Sequence, residues 1–470
     1  MVIGIVLPDG IGIKNYLYTE IPSFLLADQN NSIVLFHAKL DKKLMQEIIA
    51  PYGHQMRLEP LPIYREDLQT RLIRESINIG RLTYFSKNLN NTTLLTANPK
   101  ASSFKRKILK RVTTFFAKGM SKHYDRILAW EKRYQNRVSS IDVSEQLRLL
   151  QQYKVDVLFS LHQRPLENIP MYEAAKRLNI RRCAVIYSWD NIQKARLYTL
   201  SEKYFLWSKF MYDQMQLFYP EIPAEKLIIT GTPQFSFYFN PDYQTAKSEF
   251  SKSWRLDENR PIALYTGSDL LTAPYDAELL RDVAEAIEKM PETNRPQLIF
   301  RRTPADFSDR YNWVLAKYPW ILKMDPVWQS IGNSWATVIP TKEDLKMVVS
   351  LVQHCSLVIN VGSTMALDAA THHKPCIYLS YHPAEARQSG LPTHNEILDQ
   401  DHFKVMKHID AVVYVEHEDK LGEAIQALLT DANRHTPGKE KYLEIITDNL
   451  HATAAKNIAD EILYLGSHHP

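Results

Sequence analysis

The chain has 470 residues, too long for one ordinary core and long enough for two average domains. Hydrophobic residues make up 45% and charged residues 23%, a globular profile, and no run of about 18 apolar residues exists to suggest a transmembrane helix. The formal net charge of +4 hides an asymmetry: residues 100–137 carry twelve Lys or Arg against Asp125 and Glu131, which leaves the rest of the chain mildly acidic.

Taken in order, the chain alternates β-branched runs with helical periodicity, the pattern of parallel sheets with crossover helices. The first half offers strands at 2–7 (VIGIVL), 32–37, 155–161, 182–188, 203–208 and 226–231. The second half restarts with 261–267 (PIALYTG), 297–302, 356–362, 375–381 and 410–416, with helices such as 277–290 and 343–355 between them. Between the two series, residues 239–260 are polar, contain proline and lack strand pattern. The predicted organisation is therefore a Rossmann-like domain over 1–238, a linker over 239–260, a second Rossmann-like domain over 261–435 and a helical tail over 436–470. The expected fold class is α/β, two such domains facing across a cleft with the tail packing back on the junction. Ligands would then lie at the carboxyl ends of the strands. The N-terminus lacks a basic start and meets Pro8 and Asp9 too early for a signal peptide. Cys183, Cys355 and Cys376 have no metal-like spacing, so reduced core thiols in a cytoplasmic protein are expected.

The stretch NVGSTMALDAA (360–370) carries the most chemistry. A strand ends at Gly362, and Ser363 and Thr364 open a helix. Hydroxyls there serve as ordinary caps. They equally complete an anion site, with helix-start amides and a glycine that lets phosphate approach the backbone. Asp368, one turn on, sits on the same helix face and can accept hydrogen bonds from ribose hydroxyls. This element, followed by Pro375 and the next strand, resembles the donor-binding element of GT-B glycosyltransferases. A related element occurs in the sugar-nucleotide 2-epimerases and the glycerophosphotransferases of wall teichoic acid synthesis. Many GT-B enzymes carry Glu where Asp368 stands.

The resemblance extends to ALYTGSD (263–269), with Gly267 and Ser268 at the phosphate-side loop, and to LIFRRTPAD (298–306), where Arg301 or Arg302 would grip the diphosphate. In the first half, IYSWDNIQKAR (186–196) and LIITGTPQFSFY (227–238) resemble bacterial surface-polysaccharide glycosyltransferases. The resemblance implies transfer of a sugar from a nucleotide donor, of the UDP type, to a surface-glycan or lipid-linked acceptor. No Asp-x-Asp motif is read in the chain, so no metal-bridged diphosphate is expected, and no cofactor beyond the nucleotide sugar. A glycerophosphotransferase, a sugar-nucleotide epimerase or a non-catalytic sugar-nucleotide-binding subunit on the same scaffold remain alternatives.

The first domain would then bind the acceptor. Its PDGIGIKNY loop (8–16) is a loose G-x-G with Asn15 where a third glycine would stand; it brings Asp9, Lys14 and Asn15 to a strand end. Strand 155–161 runs into His162, Gln163 and Arg164, and the next strand into Trp189 and Asp190. Trp189 offers a flat face for a sugar ring. Asp190, Asp9 and His162, in that order, are candidates for the base that an inverting transfer requires. The basic segment 100–137 interleaves Phe104, Ile108, Leu109, Val112, Phe115 and Phe116 with its cations. That pattern fits a peripheral helix on anionic lipid at the inner face of the plasma membrane, a solvated helix face, or a site for an acidic acceptor. Nucleic acid fits less well, because the rest of the chain is acidic.

Overall fold

The computed structural model describes residues 1–38, 40–89, 104–195, 197–198, 200–270, 272–304, 306–330, 338–389, 398 and 401–468. The start of the basic segment, 100–103, lies outside the described residues. The chain divides into two compact units. The first comprises Met1–Pro233 with Ile446–Pro470, and the second Gln234–Ile445.

The first unit is built on a seven-stranded parallel sheet. Its strands are β1 (Val2–Leu7), β2 (Ser32–His37), β3 (Met56–Pro60), β4 (Val157–Ser160), β5 (Arg181–Val185), β6 (Lys203–Leu206) and β7 (Leu227–Ile229), in the order β3-β2-β1-β4-β5-β6-β7. In register, Ile3 pairs with Ile33 on one side and Val157 on the other. Strands covered on both faces read as continuous apolar runs, which is why VIGIVL is legible. Ile3, Ile5, Val6 and Leu7 are all buried. Edge strand β3 (MRLEP) alternates polar and apolar residues, and no strand was expected there. Helices α1 (Leu68–Asn88), α2 (Phe104–Met120) and α3 (Tyr124–Val138) pack together, and α4 (Asn168–Arg177) follows β4. The C-terminal helix, Ala454–Ser467, buries Ala454, Ile458, Ile462 and Leu465 along one stripe and packs on Ile21–Leu25, β4 and β5. The tail thus belongs to this unit from Ile446 onward, whereas the expected tail started at 436.

The second unit repeats the design with six parallel strands: β8 (Ile262–Thr266), β9 (Gln297–Arg301), β10 (Leu322–Lys323), β13 (Leu357–Asn360), β14 (Cys376–Leu379) and β15 (Val413–Val415). Their order is β10-β9-β8-β13-β14-β15. A separate antiparallel pair, β11 (Trp328–Ser330) and β12 (Val338–Pro340), precedes β13. Helices α5 (Asp276–Lys289), α6 (Lys342–His354) and α7 (Met365–Ala370) matter most for the site. The core lies between the sheet and α5, around Tyr265, Leu280, Phe300 and Ile359. The segment expected as a linker, 239–260, lies wholly in this unit and contains a helix, Lys247–Trp254. Its Thr245 is tied to α6 through Ser350 Oγ at 2.9 Å and His354 Nε2 at 2.6 Å. All three cysteines are buried free thiols.

In each parallel sheet the strand order reverses once, between β1 and β4 and between β8 and β13. Carboxyl ends at such a switch point diverge and leave a crevice, the usual ligand position in open α/β sheets. Asp9 and His162 follow β1 and β4; Gly267 and Gly362 follow β8 and β13.

Candidate functional site

In the second unit the loop after β8 is anchored from beneath. The Gly267 amide donates to Arg301 O at 2.9 Å, and the Ser268 amide to Asp276 Oδ2 at 2.8 Å. Asp276, the first residue of α5, is fully buried. It also accepts from Tyr265 Oη at 2.6 Å and Tyr311 Oη at 2.5 Å. Burial pushes its carboxyl above the ordinary range, while these hydrogen bonds pull the other way. Arg310 completes the anchor by donating to Ser268 O at 2.6 Å while paired with Asp306 at 2.7 Å. The sequence reading missed Asp276, whose only local signal is an acid in a first helical turn.

Gly362 holds a positive φ of 106°, which a side chain rarely adopts, and a Cβ there would meet Leu398 Cδ2 at 2.8 Å. Its amide and that of Ser363 both donate to the buried Asn360 Oδ1, at 3.0 and 2.9 Å. Glycine is therefore demanded first by the turn, and those two amides are turned to Asn360. Ser363 Oγ accepts from Met365 N at 3.2 Å, a local cap, and Tyr378 Oη donates to Ser363 O at 2.7 Å. Thr364 is exposed and makes no side-chain cap. Asp368 Oδ1 accepts from Tyr238 Oη at 2.6 Å. Burial, with Asp368 beside it, holds that phenol well above its usual range, so it stays a donor.

The two arginines separate. Arg301 is buried, and its Nη2 bridges both oxygens of Asp344 at 2.8 and 2.9 Å. Asp344 accepts two more hydrogen bonds, from Val327 N at 2.8 Å and Trp328 Nε1 at 2.6 Å. In this arrangement Arg301 is a strut joining β9, β11 and α6, because a buried guanidinium needs a buried counter-charge. Arg302 is half-buried; it donates to Ser308 O at 3.3 Å and lies 3.6 Å from Asp325 Oδ1. One Asp-x-Asp does stand in the sequence, Asp399-Gln400-Asp401; Asp399 and Gln400 lie outside the described residues. The absence of that motif therefore no longer supports metal independence. Among the described residues no group of three or more His, Cys, Asp or Glu could hold a metal.

In the first unit, the sheet order brings three strand ends side by side. Asp9 Oδ1 accepts from the amides of Ile11 and Gly12 at 3.2 and 3.3 Å, which fixes the carboxylate. Its Oδ2 lies 3.2 Å from His162 Nδ1. The contact is an ion-pair distance without hydrogen-bond alignment, so the carboxylate lies beside the ring but does not fix its tautomer. Both Nδ1 and Nε2 are buried, and neither has a hydrogen-bond partner among the described residues. The His162 ring lies against Tyr187, 4.2 Å between centroids. Burial, reinforced by Asp9, keeps the Tyr187 hydroxyl well above its ordinary range. The His162 carbonyl is held by Ser160 Oγ at 2.9 Å and Asn168 Nδ2 at 2.5 Å, and Gln163 Oε1 accepts from Tyr187 N at 2.9 Å. The ring is thus positioned from both neighbouring strands.

The remaining candidates take other positions. Asp190 is ion-paired with Lys194 and accepts from Asn191 Nδ2 at 2.9 Å. Asn191 in turn accepts from Arg164 Nη1 at 3.0 Å. Trp189 is only 1% exposed and turns no ring face to solvent, because so large an apolar body gains more from the core. Asn15 is buried in the turn Ile13–Leu17, and Lys14 is half-buried.

Two Rossmann-like units, each with its own switch-point site, define the GT-B fold, and the chain has it. The structure is similar to the UDP-GlcNAc 2-epimerase from Neisseria meningitidis bound to UDP-GlcNAc, with TM-score 0.52 and 11% identity over 98% of this chain and 99% of that one. It is similar to S. aureus MnaA in its UDP co-structure (0.54, 10%, 100% and 98%) and to the UDP-GlcNAc 2-epimerase from Methanocaldococcus jannaschii (0.51, 15%, 96% and 100%). At such identities the likeness is one of fold. No protein-family model matches the sequence, and no curated protein matches it.

Proposed function

We propose that the chain is a glycosyltransferase that moves a sugar from a nucleotide-sugar donor, of the UDP type, to a glycan or lipid-linked acceptor. The observation that carries this reading is the Asp9–His162 pair at the switch point of the first unit. An alcohol is a poor nucleophile until its proton is removed, and an imidazole with a carboxylate beside it is suited to that step. In the proposed reaction His162 Nε2 takes the acceptor proton as the acceptor oxygen bonds to the anomeric carbon. The bond from that carbon to the diphosphate oxygen breaks, and the nucleoside diphosphate leaves with the electron pair. Asp9 positions the ring and stabilises the imidazolium. The order of candidates is thereby reversed, with His162 ahead of Asp190, whose carboxylate is neutralised by Lys194. In the second unit Arg302, Ser363, Thr364 and Asp368 are assigned to the donor nucleotide, and the anchored Gly267–Ser268 loop to its phosphate side.

A second reading, a sugar-nucleotide epimerase, is supported by two structures named UDP-GlcNAc 2-epimerase that match over nearly their whole lengths. One experiment separates the two. The purified protein is screened by thermal shift against UDP, GDP, CMP, CDP-glycerol and UDP-sugars, with and without EDTA. The best nucleotide sugar is then incubated with the protein and followed by proton NMR. Inversion at a sugar carbon with the nucleotide linkage intact supports the epimerase; release of free nucleotide only with an added acceptor supports the transferase. If no nucleotide raises the melting temperature at millimolar concentration, both readings fall.

A further inference from the structure

Helices α2 and α3 of the first unit carry a surface that neither the core nor the switch-point site uses. The inward face of α2 is Thr113, Ala117 and Met120, all buried. On another face Ile108, Val112, Phe115 and Phe116 are 46%, 37%, 73% and 39% exposed. Their spacing makes one continuous helical stripe. Phe116 lies 5.3 Å from Trp130 of α3, and the guanidinium of Arg133 sits 5.6 Å over the Trp130 ring. Phe115, Phe116 and Trp130 line a shallow basin of about 660 Å³ together with Lys118, Lys122, Arg126 and Arg133.

The charge around the stripe is unopposed. Lys107, Lys110, Arg111, Lys118, Lys122 and Arg133 have no carboxylate within ion-pair distance among the described residues. Of the two acids in this stretch, Glu131 is drawn away from it. Its carboxylate binds the buried Arg81 Nε of α1 at 2.6 Å. The other acid of this stretch, Asp125, is exposed and pairs with none of these cations among the described residues. Large apolar side chains are seldom left exposed in a row on a soluble surface, and a ring of free cations beside them selects an anionic counterpart.

We propose that this face of α2 and α3 docks on an anionic phospholipid surface, with Ile108, Val112, Phe115 and Phe116 among the acyl chains and the lysines and arginines at the phosphate level. The aliphatic members favour lipid over nucleic acid. Phe and Trp can stack on bases, but Ile108 and Val112 cannot, and both insert readily into hydrocarbon. The inference is independent of the transfer reading, because it uses no residue of either switch-point site.

The test is co-sedimentation of the full chain with vesicles of phosphatidylglycerol mixed with phosphatidylcholine, and with phosphatidylcholine alone. Binding is expected to the anionic vesicles only, and to weaken as salt is raised. The variants F115S/F116S and K118E/K122E should each lower the partition by at least about tenfold. A charge-matched control in the other unit, K252E/K289E, should not. Unchanged melting temperatures verify that the variants fold. Phe115 and both lysines are exposed, and Phe115→Ser alone serves if the double variant fails to fold. The proposal is overturned if neither vesicle binds, if neutral vesicles bind equally, or if the stripe variants sediment like the parent. Capture by single-stranded DNA without vesicle binding also overturns it and assigns the face to a different polyanion.

Discussion

Arg301 and Arg302 are neighbours with the same chemistry, and replacing each with alanine should do opposite things. The Arg301 side chain is 8% exposed and its partner Asp344 4%. Deleting the guanidinium removes both charge-assisted bonds and leaves a buried carboxylate. That carboxylate keeps two donors, Val327 N and Trp328 Nε1, so the cost should sit at the lower end of the range for breaking a buried pair, about 3 kcal/mol. For a unit of this size that is roughly 6–12 °C in the melting temperature. Arg302→Ala breaks one hydrogen bond, at 3.3 Å to Ser308 O, and a partly exposed ion pair with Asp325 at 3.6 Å, and should change stability by less than about 1 kcal/mol. If Arg302 holds a phosphate oxygen, its loss should weaken nucleotide binding by about 10- to 100-fold, the value of one charge-assisted contact. A chain of two units need not melt in one step. The assay is therefore hydrogen exchange on peptides of the second unit for stability, with calorimetric titration of the nucleotide for affinity. An Arg301→Ala protein with native exchange and no nucleotide binding would refute the strut argument and return the diphosphate role to Arg301.

Three further outcomes are expected. His162→Gln should lower the turnover of any detected transfer reaction by about 10²- to 10⁴-fold with nucleotide affinity unchanged, and Asp9→Asn should act in the same direction; equal losses of affinity in both would point to a binding role instead. Gly362→Ala should destabilise the second unit by about 1–3 kcal/mol, because φ is positive and Leu398 is in the way, read as a lower melting temperature. Asp67 caps α1 by accepting from Gln69 N at 2.9 Å and Thr70 N at 3.1 Å, and Thr70 draws its pKa down to about 2. A depressed carboxylate stabilises the fold above its unfolded pKa of about 3.9 and loses that contribution as pH falls toward 2. Asp67→Ala should therefore cost about 1 kcal/mol near neutrality and flatten the acid limb of the stability curve below about pH 4.

Much of this architecture is local chemistry. A strand covered on both faces must be apolar throughout, so VIGIVL, IALYT and LVIN declare themselves, and the residues after them are at carboxyl ends whatever the sheet order is. That is why Asp9, His162, Gly267 and Gly362 could be picked as candidates from a string of letters. The edge strands β3 and β10 escaped, since an edge tolerates the polar residues that hide a strand from pattern reading. The tertiary structure decided which candidates meet. Asp9 and His162 are neighbours only because β4 lies beside β1, and no local periodicity encodes that adjacency. It also told Arg301 from Arg302: alternate strand-end residues point to opposite sides, and only one side holds Asp344. Asp276, Trp189 and the return of the C-terminal helix to the first unit belong to the same class. Burial depends on what covers a residue, and the cover comes from elsewhere in the chain.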